Sequence, residues 1–154
     1  MKTTRDEIEM ILALLEQTPQ RIAKALVSSQ GDVYFTPDQK TWSVHEVLVH
    51  LRACADVWGQ NIEKMLLRNK PILAEIHPHA QARNANYKEQ DFVNSLRIFV
   101  EQRENLLQKL KNLHFEDWSR SAMIGGRRHT VFSQARRMAM HEPAYCEQIE
   151  NLLK

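Results

Sequence analysis

Apolar residues return every three or four positions through four long stretches of this chain. That period commits each stretch to a helix with one apolar face. The first runs from about Arg5 to Val27, with Ile8, Ile11, Leu12, Leu15, Ile22 and Leu26 on one side. The second opens at Ser43-Val44-His45-Glu46, a capping-box pattern in which Ser43 and Glu46 satisfy exposed backbone donors reciprocally. It carries Val47, Leu48, Leu51, Ala55, Trp58, Ile62, Met65 and Leu66 to about Arg68. The third spans about Asp91 to Asn112, with Phe92, Leu96, Phe99, Val100, Leu106, Leu107 and Leu110. The fourth starts at Thr130, after a flexible Gly125-Gly126, and continues almost to the end. Four such helices bury their stripes on a common axis, so the expected fold is an all-α four-helix bundle.

Composition agrees. A chain of 154 residues has the size of a single domain, here residues 1–154, and can bury a real core. Four glycines and five prolines are too few for the turns of an all-β protein. A formal charge of +2 gives no strong pull toward nucleic acid or a membrane surface, and neither is expected as a partner. No stretch approaches the roughly 20 apolar residues of a membrane span. The N-terminal MKTTRDEIEMILALLE mixes acids with its apolar residues, unlike a signal peptide, so a cytoplasmic location is expected. Two cysteines, Cys54 and Cys146, read as free thiols.

Breaks and connections add detail. Thr18-Pro19 can cap and restart a helix, which predicts a kink or break in the first segment. The connections Ser28–Thr41, Asn69–Gln90 and Leu113–His129 are polar and hold the turn formers. A second helix of roughly 26 residues is about 39 Å long. The 22 residues of Asn69–Gln90 could span about 73 Å when extended. That connection can return along the whole bundle, leaving helices two and three parallel after a long crossover. A simple up-down-up-down order does not need it.

Two helical edges direct imidazoles inward. His50 follows Val47 by three positions and precedes Cys54 by four, so all three border the buried stripe. On the last helix, Ala135, Met138, His141 or Glu142, Tyr145, Ile149 and Leu152 trace the inward face, with His141 and Tyr145 one turn apart. Metal sites in bundles are assembled in this way, from side chains on facing helices. Spacing alone leaves open the commoner alternative, a histidine that is hydrogen-bonded or partly exposed at a helix edge.

Trp42-Ser43-Val44-His45-Glu46-Val47-Leu48-Val49-His50-Leu51, taken with His141-Glu142 and Gln148-Ile149, resembles the DinB-like (DinB/YfiT) superfamily across nearly the whole chain. The resemblance implies a four-helix bundle with a long crossover, commonly a homodimer, and a nickel or zinc site of three histidines. It also implies a metal-dependent enzyme, with thiol-dependent S-transferases, isomerases and hydrolases among the relatives. The alternative is a non-catalytic member that binds a small molecule or serves as a dimerising scaffold. Apolar residues around much of helices one and three fit the dimer.

By that resemblance, the metal ligands fall on His50, His141 and Tyr145, and the third position departs from the pattern. Imidazole binds zinc or nickel as a neutral ligand, whereas a phenol must first lose a proton with reference pKa about 10. A weak or absent divalent metal is therefore expected, with Tyr145 hydrogen-bonded to a histidine instead. Cys54 could add a thiolate if it points inward, although a small buried hydrophobe is its ordinary role. Cys146, about 100° round the helix from Tyr145, is a poorer ligand. Glu142 reads as a partner orienting an imidazole or as an edge carboxylate. Pro143 should kink the last helix near His141.

Elsewhere, His77-Pro78-His79 reads as a solvated loop pair. Arg127-Arg128-His129, followed by Arg136 and Arg137, reads as a solvated basic face, with carboxylate or phosphate binding as the alternative. Trp42, Trp58 and Trp118 read as core or pocket-wall residues.

Overall fold

The computed structural model describes residues 3–154, so the first two residues of the N-terminal stretch lie outside it. Four long helices, α1 (Arg5–Val27), α2 (Val44–Leu67), α4 (Phe92–Lys111) and α5 (Val131–Leu152), form the bundle. A short helix, α3 (Pro78–Asn84), and strand β1 (Ile72–Leu73) lie within the long crossover. Strands β2 (Ser121–Ile124) and β3 (Arg127–Thr130) precede α5. Each long helix starts where a side chain closes its first turn. Thr4, Ser43, Asp91 and Thr130 accept from the backbone N–H three residues on, at 3.1, 3.1, 2.7 and 3.0 Å. At Ser43 the capping box is complete, because Glu46 accepts from the Ser43 N–H at 3.2 Å.

Helices α4 and α5 each pack on both α1 and α2, which leaves α1 and α2 across one diagonal and α4 and α5 across the other. Pairings along the helices fix their directions. Arg52 meets Ser95, Asp56 meets Gln102 and Glu63 meets Lys109 in the same order, so α2 and α4 run parallel. His50 meets His141 while Asn61 meets Gln134, so α2 and α5 run antiparallel. The long crossover thus does what its length allows. Ile11, Leu15, Leu48, Leu51, Ile62, Met65, Phe99, Leu110, Met138 and Ile149 fill the core and are almost wholly buried.

Helix α1 does not break at Thr18-Pro19; it runs unbroken through both. Proline has no N–H for the Leu15 carbonyl one turn earlier. The Arg103 guanidinium supplies that donor from α4, with Nη1 2.9 Å from the Leu15 oxygen. Thr18, buried rather than capping, donates to Glu142 at 2.7 Å. Helix α5 likewise continues through Pro143.

The connections hold more regular structure than their polar composition suggests. Gly125 and Gly126 form a tight turn, not a flexible link, with φ of +57° and +81°. Two positive φ values in a two-residue loop join twisted antiparallel strands without splaying them, and glycine adopts them without strain. The hairpin pairs Ala122 with His129 and Ile124 with Arg127, and β1 lies parallel beside β2. Among the described residues, no helix is long and apolar enough to cross a membrane.

Candidate metal centre

Two ladders face each other across the α2–α5 seam. His50, Cys54 and Trp58 recur every fourth residue along α2, and Arg137, His141 and Tyr145 do the same along α5. Because the helices are antiparallel, the middle rungs meet. His50 Nε2 lies 3.1 Å from His141 Nε2, and Cys54 Sγ lies 3.6 Å from each of those nitrogens. The three donor atoms all fall within 4.8 Å of one another.

The Tyr145 ring lies beside both imidazoles, with centroids 4.9 Å from His50 and 4.7 Å from His141. Its neighbour on the outer side is Trp42, stacked at 6.5 Å. Among the described residues, no hydrogen bond joins the Tyr145 hydroxyl to either imidazole, and the two histidines are hydrogen-bonded to each other instead. The structure thus brings His50, His141 and Tyr145 together and adds Cys54 as a donor against both imidazoles.

Charge at the site is set by burial. The pKa of His50 is pushed down to about 4, first by burial and then by nearby His141 and His79. Burial lowers His141 too. Both rings are therefore neutral at neutral pH, the form in which imidazole donates to a metal. One Nε2 carries the shared proton and the other accepts it. Burial, with Glu142 nearby, pushes the Cys54 thiol up to about 12. Without a cation this sulfur keeps its proton.

The donor set fits a small tetrahedral cation. With metal–nitrogen bonds of about 2.0–2.1 Å and a metal–sulfur bond of about 2.3 Å, tetrahedral edges are about 3.3 Å between nitrogens and about 3.6 Å between nitrogen and sulfur. The observed separations of 3.1, 3.6 and 3.6 Å lie close to these. Three protein donors leave one position for a water or substrate, the pattern of catalytic rather than structural sites.

Glu142, adjacent to His141 in sequence, turns the other way. Its carboxylate takes both guanidinium nitrogens of Arg103, at 2.8 and 2.5 Å, and each side chain is only 1% exposed. It orients no imidazole. Cys146, also buried, stands apart from the three donors. His79 is the residue that spacing hid. Helix α3 folds back on α2 and stacks its imidazole on His50, with centroids 5.3 Å apart and rings 29° from parallel. Proline at the first helical position of α3 was the available signal, since it favours a helix start there rather than a loop.

A model of the DinB superfamily matches residues 14–149. The chain belongs to the DinB superfamily. Among solved structures it is similar to YfiT from Bacillus subtilis, described as a probable metal-dependent hydrolase with an unusual four-helix bundle topology. Identity is 17% and the TM-score is 0.81, over 98% of this chain and 88% of that one. At that identity the likeness concerns the fold. No curated protein matches the chain.

Proposed function

We propose that this DinB superfamily member is a metal-dependent enzyme of the hydrolase or thiol S-transferase type. In this reading His50, His141 and Cys54 hold the cation. The observation that carries it is the convergence of three donor atoms from two facing helices, with both imidazoles kept neutral. YfiT's description as a probable metal-dependent hydrolase lends support. A divalent cation held there would act as a Lewis acid toward a water, thiol or carbonyl in the open position.

The side chains around the donors have separate tasks in this scheme. Cys54 contributes a sulfur that shortens the list of acceptable metals, since thiolate with imidazole suits zinc, and nickel is the other cation the resemblance implies. Tyr145 and Trp42 wall one side, leaving the phenol free of the proton loss that ligation would demand. Glu142 is committed to Arg103 and cannot serve as a base. His79 is the group placed to take a proton. It flanks His50 in a cleft of about 130 Å³ with Trp42, Glu46 and Lys88, outside the donor set.

Titrating zinc and nickel into metal-stripped protein at pH 7 tests the ligand set. One equivalent should bind the wild type. His50→Ala and His141→Ala should abolish tight binding, and Cys54→Ser should weaken it by at least about tenfold, as losing a direct ligand costs no less than losing an outer partner. Tyr145→Phe should change affinity by less than about threefold. If Tyr145→Phe weakens binding and Cys54→Ser does not, the phenol is the third ligand. Binding by none of the proteins would remove the metal and leave a small-molecule cleft or scaffold.

A further inference from the structure

A second, larger cavity opens on the other end of the α2–α5 seam. It is enclosed by the β2–β3 hairpin, the chain leading into α3, and the facing sides of α2 and α5, and has a volume of about 430 Å³. Its lining is polar and contains none of the three donor atoms described above. Strand alternation puts Arg127 and His129 on one face of β3, and both line the cavity, whereas Arg128 does not. Arg137 comes from α5, its guanidinium 4.8 Å from the centre of the Trp58 ring. Among the described residues, neither Arg127 nor Arg137 has an ion-pair partner. The single carboxylate in the lining, Glu75, packs against the Gly125 turn, so closely that any side chain at Gly125 would strike it.

Of the two imidazoles that line this cavity, His77 and His129, the second is held in one tautomer. Asn61, on α2, donates to the Gln134 carbonyl at 3.1 Å, and the Gln134 amide donates to His129 Nδ1 at 3.3 Å. Both amides are buried. Since Nδ1 accepts, the His129 proton is on Nε2. Burial and the two arginines lower the His129 pKa, which keeps the ring a neutral donor. Two guanidiniums and one fixed N–H form a set of donors without a partner, matched to an oxyanion.

The cavity borders the metal centre. Arg137 precedes His141 by one helical turn, and the Trp58 ring stands edge-on to His141 with centroids 5.2 Å apart. Trp58 is thus a wall common to both. We propose that this cavity binds the anionic group, a carboxylate or a phosphate-type oxyanion, of the small-molecule substrate on which the metal centre acts. The proposal rests on the metal-centre reading for its link to chemistry, but not for the anion site itself.

Binding of methylphosphonate and of acetate to metal-free protein at low ionic strength separates the two. At least one probe should bind saturably at a single site, and the tighter of the two identifies the group. Arg127→Gln and Arg137→Gln, both at exposed positions that the fold tolerates, should each weaken it about tenfold or more. Arg128→Gln, outside the cavity, should not. Failure of the metal reading would leave these results unchanged. No saturable binding of either probe overturns the anion site. So does binding that appears only after zinc is added and is indifferent to both arginine variants, a result that leaves the metal centre intact. In cobalt-loaded protein, strong paramagnetic relaxation of the bound phosphonate phosphorus is expected. Its absence would break the link between the two sites.

Discussion

Folded His50 refuses a proton that the unfolded chain accepts, because burial has pushed its pKa from the ordinary 6.5 to about 4. The unfolded state therefore binds more protons between these values, and the stability of the metal-free protein should fall as pH drops from about 6.5 to about 4. Below about 4 this contribution levels off. Urea titrations at several pH values measure it, and His50→Ala should flatten the slope in that window. A His50 resonance that titrates near 6.5 in nuclear magnetic resonance spectra would show the ring to be solvated. The resemblance paired His50 with His141, and the structure brings them together; spacing alone placed each on an inward helix edge. It could not rank Cys54, because a half-turn of helix rotation decides whether a sulfur faces a seam or the core. The contact of His79 with His50 lay beyond reach, even though Pro78 favours a helix start. Its place depends on how a 22-residue crossover folds back, which is a tertiary matter.

Helix starts were legible because capping chemistry is local. Ser43 and Glu46 close the first turn of α2 in the reciprocal pattern their spacing encodes. Ser43→Ala should destabilise the protein by about 1 kcal/mol, read as a lower urea midpoint with unchanged slope. An unchanged midpoint would mean the cap contributes nothing. At Pro19 the expected kink or break resolves against a break, for a physical reason. Pro19 frees the Leu15 carbonyl, and local rules then favour a break; an arginine from another helix takes that carbonyl and the break disappears. The small sheet was hidden for a related reason. Strands of two to four residues are too short to carry a period, and only Gly125-Gly126 marks their turn.

Across the whole molecule, Arg103 and Glu142 tie the diagonal pair α4 and α5 through the centre, and Thr18 and the Leu15 carbonyl bring in α1. Removing one member of such a buried pair strands the other charge. Arg103→Met should cost about 3–5 kcal/mol, measured by denaturation. A loss below about 1 kcal/mol would show that Glu142 can be neutralised in place. The parallel course of α2 and α4 was readable from the length of the crossover alone, whereas the pair that locks the bundle was not. Arg103 lies on a helix whose pattern advertises only its apolar face. We propose, as the resemblance implies, that two copies associate; sedimentation as a monomer at micromolar concentration would contradict this.

The most direct measurement is a cobalt(II) titration of metal-stripped protein at pH 7, followed by absorption spectroscopy. A cation held by His50, Cys54 and His141 should give one-equivalent saturation, tetrahedral visible bands and a near-ultraviolet thiolate-to-cobalt charge-transfer band. Cys54→Ser should lose that last band while keeping weaker binding. Saturation without the thiolate band, or a band that survives Cys54→Ser, would contradict the ligand set. No uptake at one equivalent would contradict the metal centre itself.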